Sequence, residues 1–205
     1  MKSITNYFNL TGAVAIAILM ALTMHSFSAD PGEAAKGRLP AGNAIHLKRL
    51  GSTVDKAWQY QLFQNGIDVK PDDDYVLTFW ARASGTFDFN VSTKVSAPPW
   101  GFFGLREAVQ LTPEWLFFTL KFNAKDAVAG QTRVTFSFLN PEPCDVWIAD
   151  IRLQTQNAAP DSKENLISNP QFNDGLAKWY VDGKQDGVFD AEVQPVAEVG
   201  APAKK

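Results

Sequence analysis

The sequence predicts an all-β fold, a sandwich of two antiparallel β-sheets, for the chain that follows its N-terminal segment. Apolar residues after Asp30 recur with a period of two, as in strands that bury one face. Turn-forming residues separate these runs at short intervals, which is typical of β-sandwiches. No run in this part of the chain has the 3.6-residue period of an amphipathic helix.

Residues 1–29 predict a secretory signal peptide. Lys2 is the only charge before Asp30, residues 10–24 are mainly apolar, and small residues precede Asp30. This order is typical of a signal peptide, and the apolar run is short for a membrane span of about 20 residues. We expect a secreted protein, extracellular or periplasmic, without membrane attachment after cleavage. An uncleaved anchor is the alternative.

The predicted strands follow one another along residues 30–205. Residues 86–95 show the clearest alternation, with Phe87, Phe89 and Val91 on one face and polar side chains on the other. Residues 155–164 are polar and contain a proline, so they are interpreted as a linker. Residues 165–193 are expected to add the last strands. We place the other strands at residues 44–50, 58–63, 75–83, 86–95, 115–122, 132–139 and 146–153.

Charge and composition exclude several classes of function. Without Lys2 the chain carries 18 basic and 22 acidic side chains, a net charge of 18 − 22 = −4, so a nucleic-acid partner is not expected. Cys144 is the only cysteine, so no internal disulfide can form. His46 is the only histidine after the signal peptide, and we interpret it as one position of an alternating strand.

The sequence gives little support to catalysis. A glycosidase needs two carboxylates about 5–10 Å apart across a cleft, whereas the acidic residues 72–74 follow a proline and predict a turn. Nucleophile-elbow and phosphate-loop motifs are both missing from the sequence. We therefore expect a protein that is not an enzyme.

Four segments together resemble carbohydrate-binding modules of the family 4 and 9 type. They read NGI at residues 65–67, YVLTFWARAS at 75–84, LTPEW at 111–115 and VWIADIRL at 146–153. The resemblance covers residues 41–154 as one block. It implies a jelly-roll β-sandwich, related to galactose-binding domains, that binds glucan or xylan chains and often accompanies a glycoside hydrolase.

The segment that opens such modules is found near the end of this chain. In the family it has the form Asn-Leu-x-x-Asn-x-x-Phe, followed by a glycine and a tryptophan. The matching residues here are Asn165, Leu166, Asn169, Phe172, Gly175 and Trp179.

Two explanations of this order remain open. In a circular permutation, residues 30–205 form one domain and residues 165–193 complete the sandwich begun by residues 41–154, which buries Phe172 and Trp179. In a truncated tandem, residues 165–205 are half of a second module, too short to bury a core alone. We favour the permutation.

The resemblance also implies a binding cleft in which aromatic rings contact sugar faces and polar side chains bond hydroxyls. Gln61 extends this set because it shares a strand face with Asn65, although a solvated face would explain it equally. The alternatives are that Trp100 plugs the sandwich and that Arg133 forms a cross-strand ion pair. Asp182 lies where related modules have an aromatic residue. The candidate carbohydrate-binding residues are Trp100, Asn65, Gln61, Asn90, Arg133 and Ser137.

Related modules often hold a structural calcium, and the implied ligands here are Asp150, Asn173 and Asp174. Hard oxygen ligands suit calcium, but Ala149 stands where a second aspartate is usual. No cofactor is therefore certain, and we expect no tightly held ion.

These observations predict a secreted, monomeric and non-catalytic module that binds a β-glucan or xylan-type polysaccharide. Two alternatives remain. The chain could be the N-terminal ancillary part of a modular glycoside hydrolase, or a structural or adhesive cell-surface sandwich without sugar binding. Polysaccharide titrations followed by tryptophan fluorescence would separate the last of these from the first.

Overall fold

The computed structural model describes residues 40–50, 59–139, 142–159, 162–184, 187 and 189–199. The predicted signal peptide and Trp58 lie outside these residues. The described residues contain ten strands and a short 3-10 turn at Val196–Glu198. The strands are β1 Asn43–Arg49, β2 Gln61–Ile67, β3 Asp74–Ala83, β4 Phe87–Val95, β5 Phe102–Leu111, β6 Leu116–Asn123, β7 Thr132–Phe138, β8 Cys144–Thr155, β9 Tyr180–Asp182 and β10 Phe189–Pro195.

The strands form two five-stranded antiparallel sheets, which confirms the predicted all-β sandwich. The first sheet has the order β10-β1-β8-β3-β6, and the second has the order β5-β4-β7-β2-β9. None of the described helical segments is long and apolar enough to cross a membrane.

The core lies between the sheets and follows from the alternation in the sequence. Phe89 and Phe136 of the second sheet are completely buried, as is Phe79 of the first. The rings of Phe79 and Phe136 meet edge to face, 5.2 Å apart between centroids. Because successive side chains of a strand point to opposite sides, the polar residues between these positions lie on the outer faces.

The C-terminal residues complete both sheets. Strand β10 pairs with β1 at one edge of the first sheet, and β9 pairs with β2 at one edge of the second. Phe172 is 0% exposed and Trp179 is 5% exposed. The Trp179 ring lies 6.4 Å from the ring of Phe136 on β7. The described part of residues 165–199 therefore shares one core with strands that lie earlier in the chain.

The prediction that residues 165–180 are strand-like was wrong. This segment consists of bends and turns, and strand structure returns only at Tyr180. Asn169 and Phe172 have positive φ angles of 49° and 54°, which the extended backbone of a strand does not permit. The side-chain amide of Asn169 donates to the carbonyl groups of Gly175 and Ala177, so the turns satisfy their own polar groups.

The predicted linker and the predicted turn residues lie at the ends of strands. Asn165 accepts a hydrogen bond from the backbone of Leu153 and donates to the carbonyl oxygen of Ile151, so residues after the linker cover part of β8. Asp72 has a φ of 64° in the turn before β3. His46 lies within β1, as predicted, and stacks on Trp147 of β8 at 4.4 Å.

Candidate functional site

The outer face of the second sheet is a groove with a polar floor. Pairing brings Asn90 of β4, Ser137 of β7, Gln61 of β2 and Asp182 of β9 into one row across the strands. Asn90 donates to Ser137 Oγ at 3.2 Å, and Gln61 donates to Asp182 Oδ2 at 3.0 Å. The next row contains Ser92 and Thr135, which are both 0% exposed although they point away from the core.

Exposed aromatic side chains border this floor. Tyr180 of β9, Phe102 of β5 and Trp100 of the β4–β5 loop are 55%, 50% and 46% exposed. Tyr180 stacks on the buried ring of Phe63, 5.3 Å away. Adjacent strands are about 4.8 Å apart, so the five strands from β5 to β9 span roughly 19 Å. Buried polar side chains between exposed rims define the groove.

The loop that carries Trp100 is fixed by backbone hydrogen bonds. Trp100 N donates to the carbonyl oxygen of Ala97 at 2.9 Å, and Val95 N donates to the carbonyl oxygen of Gly101 at 2.9 Å. Trp100 has a φ of 58°, in the left-handed region that costs a non-glycine residue about 1–2 kcal/mol. The loop thus holds a large exposed ring in an unfavourable backbone conformation, an arrangement that is frequent at binding sites.

Arg133 lies at the centre of the groove, next to Trp100. Its guanidinium carbon is 3.3 Å from the centroid of the Phe63 ring and 5.9 Å from that of Trp100. Its Nη2 is 3.7 Å from Asp182 Oδ2, so a cross-strand ion pair exists beside the ring contacts. Burial lowers the pKa of the Arg133 guanidinium, and the negative charge of Asp182 acts in the opposite direction.

Several buried polar atoms of the floor have no hydrogen-bond partner among the described residues. They include Gln61 Oε1, Thr135 Oγ1, and Nε and Nη2 of Arg133. Native proteins rarely leave buried polar atoms unpaired, because each such atom costs about 1–3 kcal/mol. The floor therefore carries polar atoms whose hydrogen-bonding capacity the described residues leave unused.

The structure brings five of the six predicted binding residues together in the groove. Asn65 is placed differently, because a bulge interrupts the pairing of β2 with β7 between Gln64 and Ile67. Asn65 and Gly66 then lie opposite Arg133, and Gly66 has a φ of 72°. The bulge leaves Asn65 exposed beside the groove and outside the regular row of Gln61.

Sequence reasoning missed Phe63, Tyr180, Lys94 and Arg106 as parts of this site. The alternation that selected Gln61 also places Phe63 on the same strand face, so the sequence pattern could have identified Phe63. Tyr180 carried no such signal, because β9 has only three residues and its neighbours lie more than 100 positions earlier. Of the two phenylalanines that follow the Trp100 loop, Phe103 is buried and Phe102 is exposed.

Two of the three oxygen donors implied for calcium, those of Asp150 and Asn173, are engaged with other protein groups. Asp150 Oδ1 accepts from Arg152 Nε at 3.4 Å and from Gln171 Nε2 at 3.3 Å, and Asn173 Oδ1 accepts from Asn43. The described residues contain no group of three acidic, histidine or cysteine side chains that could hold a metal. Calcium needs six to eight oxygen ligands, and the guanidinium group of Arg152 on the Asp150 carboxylate does not fit such a site.

The described carboxylates on the groove face are far apart. Asp88 of β4 and Asp182 of β9 lie three strand spacings from each other, roughly 14 Å before any offset along the strands. Glycosidases place their two carboxylates about 5–10 Å apart. Asp182 is moreover occupied by Gln61 and Arg133.

Comparison with known structures confirms the resemblance to carbohydrate-binding modules at the level of the fold. The apo carbohydrate-binding module of PbXyn10C has a TM-score of 0.53 and 18% identity, over 78% of this chain and 91% of that chain. A family 4 module has a TM-score of 0.49 and 20% identity, over 55% and 71% of the two chains. The N-terminal cellulose-binding domain of Cellulomonas fimi β-1,4-glucanase C has a TM-score of 0.47 and 18% identity, over 57% and 81%. Searches with protein-family models and against curated proteins found no match.

Proposed function

We propose that this protein is a secreted, non-catalytic module that binds a β-glucan or xylan-type polysaccharide in the groove. The observation that carries the proposal is the combination of exposed Trp100, Phe102 and Tyr180 with a floor of buried, unpaired polar atoms. The likeness of the fold to a carbohydrate-binding module agrees with it.

The chemistry of a sugar chain matches this combination. The C–H faces of a sugar ring pack against aromatic rings, while hydroxyl groups exchange hydrogen bonds with amides, hydroxyls and guanidinium groups. We assign stacking to Trp100, which lies nearest Arg133 among the exposed rings. Gln61, Asn90, Ser137 and Arg133 bind hydroxyls from the floor, with Asn65 at the side. An open groove of this kind gives affinities of about micromolar to millimolar.

Substitution of Trp100 tests the site directly. Trp100→Ala should weaken retention on xylan or β-glucan in affinity gels about tenfold, because aromatic packing contributes about 0.5–1.5 kcal/mol beyond buried area. Leu50→Ala is the matched control, because Leu50 follows β1 of the first sheet and its apolar side chain is 71% exposed. Both variants should keep the wild-type circular dichroism spectrum. Unchanged retention of Trp100→Ala would reject the site.

We also propose the circularly permuted order of the chain. Its support is that residues 162–199 pack into the same core as residues 40–159. Val196 N donates to the carbonyl oxygen of Gly42, so the two ends of the described sandwich are adjacent. A rearranged gene that starts at Ser162, joins residue 199 to residue 40 by a short linker and ends at Ala159 should fold with similar stability. Loss of the cooperative unfolding transition would contradict the proposal.

A further inference from the structure

Positive charge is concentrated around Arg133 in the groove. Lys94 of β4 lies directly opposite Arg133 of β7, and Arg106 of β5 lies opposite Ser92, two residues from Lys94. Lys94 Nζ and Arg106 Cζ are 5.1 Å and 4.7 Å from the centroid of the Phe102 ring. Three cationic side chains therefore surround two exposed aromatic rings, those of Trp100 and Phe102.

This positive charge is only partly compensated. Asp182 lies 3.7 Å from Arg133 and already accepts a hydrogen bond from Gln61. In the part of the chain that the structure describes, neither Lys94 nor Arg106 forms a salt bridge. Like charges directly opposite each other in a sheet are destabilising. The whole chain has a net charge of −3, so the excess of positive charge is a local feature of the groove.

Arg133 has the properties of a group that receives an anion. Its side chain is 9% exposed, and its Nε and Nη2 have no hydrogen-bond partner among the described residues. A buried charge without hydrogen bonds is unfavourable. The planar guanidinium offers parallel N–H donors that match the two oxygens of a carboxylate. A neutral sugar hydroxyl can also accept a hydrogen bond from Arg133, but only a carboxylate compensates the charge of its guanidinium group.

We propose that the groove is specific for polysaccharides that carry carboxylate groups, such as a xylan substituted with uronic acid. This inference rests on the proposed polysaccharide binding and narrows its ligand class. The sugar carboxylate lies between Arg133 and Lys94, with Arg106 adding charge at the edge. The ring that bears it, or the neighbouring ring, packs on Trp100.

The electrostatics of Lys94 agree with this placement. Burial lowers the pKa of the Lys94 ammonium group, and the positive charge of Arg133 lowers it further. A carboxylate at this point would offset both effects, because an opposite charge within a few ångströms favours the charged form. Partial exclusion of water also strengthens an ion pair relative to one on an open surface.

Paired ligands that differ only in charge provide the test. Glucuronoxylan and its carboxyl-reduced form have the same backbone and substitution pattern, so isothermal titration isolates the carboxylate. We expect the native polymer to bind about tenfold more tightly, as for a charge-assisted hydrogen bond. This advantage should shrink in 0.5 M salt. Equal binding of both polymers would overturn the inference while leaving the proposed function intact, whereas binding of neither would reject both.

Variants identify the cations responsible. Lys94→Gln should remove most of the preference for the acidic polymer while retaining affinity for the reduced one. Lys121→Gln is the control, because Lys121 is exposed on β6 of the first sheet and its replacement changes the net charge equally. Arg106→Gln, at an exposed position, gives a second variant if Lys94→Gln fails to fold.

Polyglutamate distinguishes a sugar site from a general anion exchanger. It carries carboxylates without sugar rings, so Trp100 has nothing to stack on. We expect binding at least about tenfold weaker than that of glucuronoxylan. Polyglutamate binding of equal strength, or an equal loss of preference in Lys94→Gln and Lys121→Gln, would overturn the inference.

Discussion

Replacing Phe172 by alanine tests whether the C-terminal segment is part of the sandwich core. The Phe172 side chain is 0% exposed, and its ring lies 5.4 Å from that of Trp179. Removing a buried phenylalanine forfeits about 1.5–3 kcal/mol of transfer free energy. The cavity adds to this, so the total loss should be about 3–5 kcal/mol. Alanine retains a side chain at the φ of 54°, so the backbone strain largely cancels in the comparison.

The measurement is urea unfolding followed by far-ultraviolet circular dichroism. A domain of this size is typically stable by about 5–15 kcal/mol, so the expected loss moves the midpoint clearly. Lys178→Ala is the control from the same segment, because Lys178 is exposed, also has a positive φ angle, and should cost about 0.5 kcal/mol or less. A loss below about 1 kcal/mol for Phe172→Ala would show that the segment does not share the core.

Three further predictions concern stability. Gly104→Ala should lower the free energy of unfolding by about 2–4 kcal/mol in the same assay. The added Cβ would lie 2.6 Å from the Phe122 ring, and Gly104 has a φ of 63°. Gly85→Ala is the control and should have little effect, because no atom lies within 4 Å of the added Cβ. A chelator should leave the melting temperature unchanged, and a chelator-dependent decrease would contradict the expectation that no ion is tightly held. Hydrogen bonding to Lys48 lowers the pKa of Glu192. The ionised Glu192 therefore stabilises the fold above its unfolded pKa near 4.5, and this stabilisation is lost as the pH falls through its lower pKa in the folded state. Glu192→Gln should consequently reduce the decrease in unfolding free energy on acidification. An unchanged pH dependence of the unfolding free energy would contradict this prediction.

The sequence predicted most of the strands because alternation is a local property. The faces assigned to residues 86–95 were correct, since Phe89 enters the core while Asn90 faces the groove. The segment 165–179 shows the limit of this reasoning. Its apolar residues suggested strand, but Asn169 and neighbouring residues adopt positive φ angles that their turn contacts stabilise.

The candidate site was predicted only in part for a related reason. The resemblance to carbohydrate-binding modules pointed to Trp100, and its place in a loop between proline and glycine favoured a ligand role over a core position. Lys94 was known only as a polar position of its strand. Its proposed role in binding an anion depends on Arg133. Strand pairing places Arg133 directly opposite Lys94, although the two are 39 positions apart in sequence (133 − 94).

The sequence by itself determined that this chain forms alternating strands and which side chains of each strand lie inward, because side-chain direction follows from the backbone within a few residues. The tertiary structure decided which outward side chains become neighbours. Strand pairing places Tyr180 beside Phe63, Asp182 beside Gln61 and Lys94 beside Arg133. The polar side chains between these strands are buried and form the floor of a groove. Their burial depends on the packing of segments that are distant in the chain.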